Sequence, residues 1–121
     1  MITEDYVSFE ISKLLKEKGF DEPIWTHYED NDEVIFGDKY NWNNSPMGQT
    51  SAPTLQMAMK WLREIYDIFI VIRRGLTGTG WIYSHEIYKD SKCWYARYGA
   101  SYDTYEEAIE TAIKYCLENL I

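Results

Sequence analysis

The residues that could titrate or attack a substrate are few in this chain of 121 residues, which has two histidines and two cysteines. Catalysis needs such a group held beside a second group. His27 and His85 lie far apart on two predicted strands, and Cys93 and Cys116 fall in different predicted elements. No spacing requires any two of them to meet, so the sequence predicts no catalytic residue.

One short run has the composition of a catalytic triad, Ser84-His85-Glu86. Neighbouring residues on a strand point to opposite faces, so these side chains do not converge on one substrate. Zinc sites use closely spaced pairs such as Cys-x-x-Cys or His-x-x-x-His, and the sequence contains neither. We therefore expect no metal, no cofactor and no enzymatic activity.

Two further patterns resemble ligand sites but stand in the wrong context. Residues 29–33 are rich in carboxylates, yet a calcium-binding EF-hand loop counted from Asp30 needs glycine at its sixth position, where this chain has Ile35. Gly75, Gly78 and Gly80 lead into a predicted strand, whereas phosphate-binding loops lead into a helix N-terminus. We interpret both segments as turns.

The charge of the chain disfavours some classes of partner. It has 12 basic and 20 acidic residues, a net charge of −8. An acidic body repels phosphate backbones and anionic membranes, so we expect neither direct nucleic-acid binding nor membrane binding. The one basic concentration is interpreted as protection of a sheet edge, with a weak anion-binding patch as the alternative. It comprises Arg73, Arg74, Lys89, Lys92 and Arg97.

The opening residues indicate the compartment. A signal peptide has a basic region followed by an apolar stretch, and Met1-Ile2-Thr3-Glu4-Asp5 has neither. No apolar run approaches the length of a membrane helix. We expect a cytoplasmic protein with both thiols reduced.

Hydrophobic periodicity predicts a single α+β domain, residues 1–121, with the element order α-β-β-α-β-β-β-α. The three helices begin after Thr3, Ser51 and Thr104, each a plausible N-cap. Mostly antiparallel strands are expected to pack against these helices. They are predicted at residues 24–28, 34–36, 68–72, 81–88 and 93–98, with turns at 29–33 and 75–80.

Aromatic residues make up 17% of the chain, with eleven Tyr and five Trp, which are enriched at protein interfaces. The long polar segment 37–50 is predicted to be a loop, and loops of this length are often functional. The predicted contact surface consists of Tyr40, Trp42 and Met47 from this loop, and Met57 and Trp61 from the second helix.

Both parts of this prediction have a structural alternative. The loop aromatics could pack beneath the loop, and strands use aromatic residues for their own stability. Met57 and Trp61 widen the apolar face of the second helix, so this helix is expected to be covered on two sides. The second cover is either another helix of the chain or a second copy of the protein.

The sequence also resembles a known group of proteins. The stretches SAPTLQMAMKWLRE at 51–64, YDTYEEAI at 102–109 and AIKYCLENL at 112–120, with the opening residues 1–15, are similar to small proteins of gut bacteria. That group is found in prophage-like and mobile-element neighbourhoods and has no assigned activity. The resemblance implies an accessory role in a bacterial cytoplasm and carries over no catalytic residue.

The leading hypothesis is a non-enzymatic interaction module of a bacterial mobile element that associates with a protein partner, including itself. A first alternative is an acidic decoy that mimics nucleic acid and inhibits a host nuclease or regulator. A second alternative is a small enzyme of unknown type.

Overall fold

The described part of the chain contains three α-helices and six strands, which confirm the predicted α+β class. The computed structural model describes residues 2–90 and 101–121 and the backbone of residues 92–96. The strands form two antiparallel three-stranded sheets. In order, the elements are α1 Phe9–Glu17, β1 Ile24–Tyr28, β2 Ile35–Tyr40, a 3-10 turn Trp42–Asn44, β3 Thr50–Ser51, α2 Leu55–Tyr66, β4 Ile68–Thr77, β5 Gly80–Lys89, β6 Lys92–Ala96 and α3 Tyr105–Asn119.

The chain divides into two units, Met1–Ala58 and Met59–Ile121, with α2 running from the first into the second. The first unit contains the sheet β2-β1-β3 and helix α1, which lies against β3. Its hydrophobic core is formed by Val7, Ile11, Leu15, Phe20, Ile24 and Leu55. The predicted turn at 29–33 joins β1 to β2, and the Glu33 N–H donates to the Asn31 side chain (2.9 Å).

Helix α1 begins later than predicted. Its N-cap is Ser8, whose Oγ accepts a hydrogen bond from the Ile11 N–H (3.2 Å), so the prediction of Thr3 was wrong. The residues before Ser8 are extended because they pair with another segment. Val7 N–H donates to the Pro53 carbonyl (3.0 Å), and Leu55 N–H donates to the Asp5 carbonyl (2.9 Å). This tertiary pairing overrides the local helix signal.

The segment 37–50 is more ordered than the predicted loop, since it contains the end of β2, the 3-10 turn and the start of β3. Ser51 belongs to β3 and is not the cap of α2, as the sequence had suggested. Its backbone and side chain exchange hydrogen bonds with Asn43 (2.8 and 3.2 Å). Thr54 takes the capping position, because its Oγ1 accepts from the Met57 N–H (3.1 Å).

The second unit is the predicted antiparallel meander, β4-β5-β6, with α3 against β4 and β5. The β4–β5 pairing extends from Ile68 opposite Lys89 to Thr77 opposite Gly80, so the predicted turn at 75–80 shortens to Gly78-Thr79. Its core contains Ile68, Ile87, Ile109, Ile113 and Leu117.

Helix α3 has the predicted N-cap, because Thr104 Oγ1 accepts from the Glu107 N–H (3.0 Å). The predicted strand 93–98 corresponds to β6, and its last two residues, Arg97 and Tyr98, lie outside the described residues. Among the residues that are described, no helix is both long and apolar enough to cross a bilayer.

Candidate functional site

An exposed depression of about 420 Å³ lies on the first unit and is lined mainly by apolar side chains. Its prominent members are Tyr6, Trp25, Phe36 and Met57, and we call this surface the aromatic groove. Trp25 is 59% exposed, Phe36 71% and Met57 41%. Large apolar side chains are usually withdrawn from water, so a cluster with this exposure is typical of a binding surface.

The geometry of β1 and β2 explains why the groove is open. Thr26 pairs with Phe36 and Ile24 pairs with Tyr40, so Trp25 alone faces the three β2 residues between Phe36 and Tyr40. Such an irregularity is a β-bulge, and bulges commonly bend a strand and redirect side chains beside functional sites. Ile24 and Thr26 point into the core, while Trp25 between them points to solvent.

Tyr6 closes the groove beside Phe36, with the two rings perpendicular at 89° and their centroids 6.0 Å apart. Its place is fixed by a β-bridge between Tyr6 and Thr54, the residue that also caps α2. Thr54 and Met57 then complete the lining from the start of α2. Four chain segments therefore build a surface whose backbone is held by hydrogen bonds.

The aromatic residues of the 3-10 turn region pack inward. Trp42 stacks on His27, with ring centroids 4.0 Å apart, and its Nε1–H donates to the Ile24 carbonyl (2.9 Å). Tyr40 contacts the Trp42 ring edge-to-face (5.2 Å). A Cβ at Gly37 would lie 2.9 Å from Trp42 Cζ2, so only glycine leaves room for this ring. Trp42 is thus a packing residue in this structure.

His27 is buried under Trp42 and is held by Gln49. Ser45 Oγ–H donates to Gln49 Oε1 (2.7 Å), which turns Gln49 Nε2 toward His27 Nε2 (3.3 Å) and Glu29 Oε1 (3.4 Å). The Gln49 amide covers His27 Nε2, and His27 Nδ1 is buried as well. Gln49 therefore occupies the nitrogen that a general base would need to present to a substrate.

A second depression of about 240 Å³ lies beside this cluster, lined by Glu29, Asp30, Met47, Gly48 and Gln49. In the described part of the chain, His, Cys, Asp and Glu form no group of three or more that could hold a metal ion.

The five residues of the predicted contact surface occupy different environments. Met57 lines the aromatic groove, and Met47 lines the second depression. Tyr40 is partly exposed but packs on Trp42, as described above. Trp61 is only 6% exposed and contacts Tyr66 in the second unit, so it presents no ring to a partner in this structure.

Sequence reasoning missed Tyr6, Trp25 and Phe36 as surface residues. Trp25 could have been found, since strict alternation along β1 places it on the face opposite the buried Ile24 and Thr26. Phe36 and Tyr6 carried no such signal. Their exposure depends on the bulge and on the pairing of the N-terminal segment with Thr54.

The second unit also exposes an aromatic surface, at the free end of the β4–β5 hairpin. Leu76 pairs with Trp81 and Arg74 pairs with Tyr83, so these four side chains share one face. We call them the hairpin tip. Leu76 is 69% exposed and Trp81 57%. The Arg74 guanidinium lies over the rings of Trp81 (4.5 Å) and Tyr83 (5.6 Å), in cation–π contact.

Ser84-His85-Glu86 does not assemble as a triad. The buried His85 stacks on Tyr102, with centroids 5.5 Å apart. Glu86 is buried as well and accepts hydrogen bonds from Arg73 and Tyr88. The Glu86 carboxylate raises the pKa of the Arg73 guanidinium by a hydrogen bond and by charge attraction. His85 and Glu86 thus serve separate packing contacts.

Comparison with protein-family models, with curated proteins and with solved structures finds no match to this chain. Its function is therefore inferred from the surfaces described above.

Proposed function

We propose that this chain is a non-enzymatic interaction module and that the aromatic groove is its contact surface. The observation that carries the proposal is the joint exposure of Trp25, Phe36 and Met57 around one depression. Trp and Tyr anchors that fill or form pockets contribute most of the binding energy at protein interfaces. A single exposed aromatic residue is ordinary, whereas four segments arranged around one opening favour a binding role.

Charge supports a partner with a basic surface. The first unit carries four lysines against eleven Asp and Glu residues, a formal charge of −7 out of −8 for the whole chain. Exposed acids, among them Asp5 and Asp38, stand next to groove residues in the sequence. An apolar surface in an acidic environment steers and selects a partner that carries both apolar and basic groups.

We further propose that the module acts in the bacterial cytoplasm as an accessory of a mobile element. The resemblance of both ends and of α2 to small proteins of gut bacteria supports this role. The acidic first unit also keeps the nucleic-acid decoy as a second candidate, since a nuclease presents a basic surface. The two candidates differ in whether the groove aromatics are needed for binding.

The experiment is affinity capture from nuclease-treated bacterial lysate with three tagged proteins. One is the wild type, the second combines Trp25→Thr with Phe36→Thr, and the third, as the control, is Phe69→Thr on the other unit. Phe69 is partly exposed and lies outside both the groove and the hairpin tip. We expect captured proteins other than the chain itself to be lost with the groove variant and kept with the control. Capture that survives removal of both aromatics would contradict the groove and favour a charge-based decoy.

A further inference from the structure

We propose that the aromatic groove of one molecule binds the hairpin tip of a second copy. This inference rests on the proposed function, because it names the partner of the same groove. Each contact joins two different surfaces, the groove of one copy and the hairpin tip of the other.

Apolar character is the first property in which the two surfaces match. Leu76 and Trp81 extend from the end of a hairpin closed by the narrow Gly78-Thr79 turn. Residues 75–79 are all exposed, so the tip is free to enter a depression. The groove offers Trp25 and Phe36 to receive it, and aromatic pairs add stabilisation beyond the buried area.

Charge is the second property, and here the surfaces are opposite. Residues 73–81 contain two arginines and no acid, while the first unit has a formal charge of −7. Arg73 is neutralised by Glu86, whereas Arg74 rests on the Trp81 and Tyr83 rings and forms no ion pair with the side chains that the structure describes. An aromatic-supported guanidinium retains its charge for a partner carboxylate.

The contact is small. A hairpin end meeting one groove falls at the low end of specific interfaces, below about 1,200 Å² in total. We therefore expect weak association that is visible only at high protein concentration. The charge contribution also predicts that added salt weakens it, because salt screens exposed charges.

The test uses sedimentation velocity and two complementary variants. The groove variant is Trp25→Thr with Phe36→Thr, and the tip variant is Leu76→Thr with Trp81→Thr. The matched control, Phe69→Thr with Val71→Thr, changes partly exposed residues on β4 outside the tip. Circular dichroism melts establish that each variant is folded before it is compared.

We expect the wild type and the control to sediment faster as concentration rises, and each of the other two variants to remain monomeric. An equimolar mixture of the groove and tip variants should then form a one-to-one complex, because one keeps an intact tip and the other an intact groove. Detection by a dye on the N-terminus of the groove variant distinguishes this complex from either protein alone.

Two results would overturn the inference. The first is a wild type that stays monomeric at every concentration. Binding of a different protein in the groove would then still be tested by the lysate experiment. The second is a mixture that stays monomeric although the wild type associates. Such a result would show that the copies associate through another surface. The proposed function is contradicted by a different result, namely capture from the lysate that persists without the groove aromatics.

Discussion

Gly37 lines the aromatic groove and lies directly against the Trp42 ring. The Trp42 ring fills the space where a side chain at position 37 would stand, and it is held there by His27 and by the Ile24 carbonyl. A Trp ring fixed on two sides cannot move away at low cost. The backbone of β2 therefore depends on a glycine at this position, although Gly37 itself is exposed.

We predict that Gly37→Ala lowers the free energy of unfolding by about 1–3 kcal/mol, because the new methyl group overlaps Trp42. The control is Gly75→Ala on β4, where a Cβ meets nothing within 4 Å. Replacing glycine by alanine at such a site restricts the unfolded chain and stabilises by about 0.4–1 kcal/mol. Urea denaturation measures both values. Equal effects of the two substitutions would show that the Trp42 ring does not confine Gly37.

Cys116 supplies a pH-dependent prediction. It is fully buried, and burial raises the pKa of its thiol from 9.0 to about 12. In a Cys93→Ser background we expect no reaction with a thiol reagent at pH 8 in the native state and full reaction in denaturant, since the thiolate is the reactive form. Equally fast reaction in both states would contradict the buried position.

The same shift has a defined sign for stability. The native state keeps a proton that the unfolded state loses above pH 9.0, so the contribution of Cys116 to stability is complete below that pH. It is lost as pH rises toward about 12, with a slope of at most about 1.4 kcal/mol per pH unit.

At the residue scale, the members of the predicted contact surface lie in different environments in the structure. Met57 lines the groove as a member of the predicted surface, while Trp61 is buried. Trp61 was predicted to make contacts because it widens the apolar face of α2. A wide apolar face also indicates that the helix is covered, and the burial of Trp61 agrees with this. Helical spacing identifies a wide apolar face but does not say which part of it is covered.

Among the elements, α3 was predicted most accurately because its start is encoded locally. The cap is a contact between Thr104 and a backbone N–H three residues away, which needs nothing from the rest of the chain. The start of α1 and the strand β3 were missed because both depend on pairing between distant segments. A local signal such as a helix cap can be recognised in the sequence, whereas a two-residue strand that forms only by tertiary pairing cannot.

We predict that Thr104→Ala lowers the free energy of unfolding by about 1 kcal/mol, because the Glu107 N–H loses its acceptor. Thr111→Ala in the same helix is the matched control. Thr111 Oγ1 donates only to the Glu107 carbonyl (2.9 Å) on the exposed side, and alanine is the better helix former. Thermal melts should therefore show a loss for position 104 and no loss for position 111. A reversed order would mean that Thr104 does not cap α3.

Across the whole molecule, the charge is distributed unevenly between the two units. Nearly all of the net negative charge belongs to the first unit, where the groove lies, while the hairpin tip of the second unit is basic. The overall charge of −8 predicts weak affinity for nucleic acid, but a single value for the chain conceals this division. Composition averages over the chain, so it cannot show that the acidic residues are concentrated in the first unit or that arginine lies at the hairpin tip.

The aromatic residues, which make up 17% of the chain, likewise fall into two groups, those that pack against other side chains and those that are exposed. Tyr40 and Trp42 pack around His27, which agrees with the structural alternative weighed for the loop. Trp25, Phe36 and Trp81 are exposed. The sequence gives the number of these rings but not which of them are exposed, because their exposure follows from the β1–β2 bulge and from the length of the β4–β5 hairpin.

The most direct test of the groove as a contact surface is site-specific photo-crosslinking. Phe36 is replaced by p-benzoylphenylalanine, which keeps an aromatic ring in the groove, and Phe69, which lies outside the groove and the hairpin tip, is replaced in the same way as the control. We predict a light-dependent protein adduct at position 36, between two copies or with another protein, and little or none at position 69. Adducts of equal yield at both positions, or none at position 36, would contradict the proposed role of the aromatic groove.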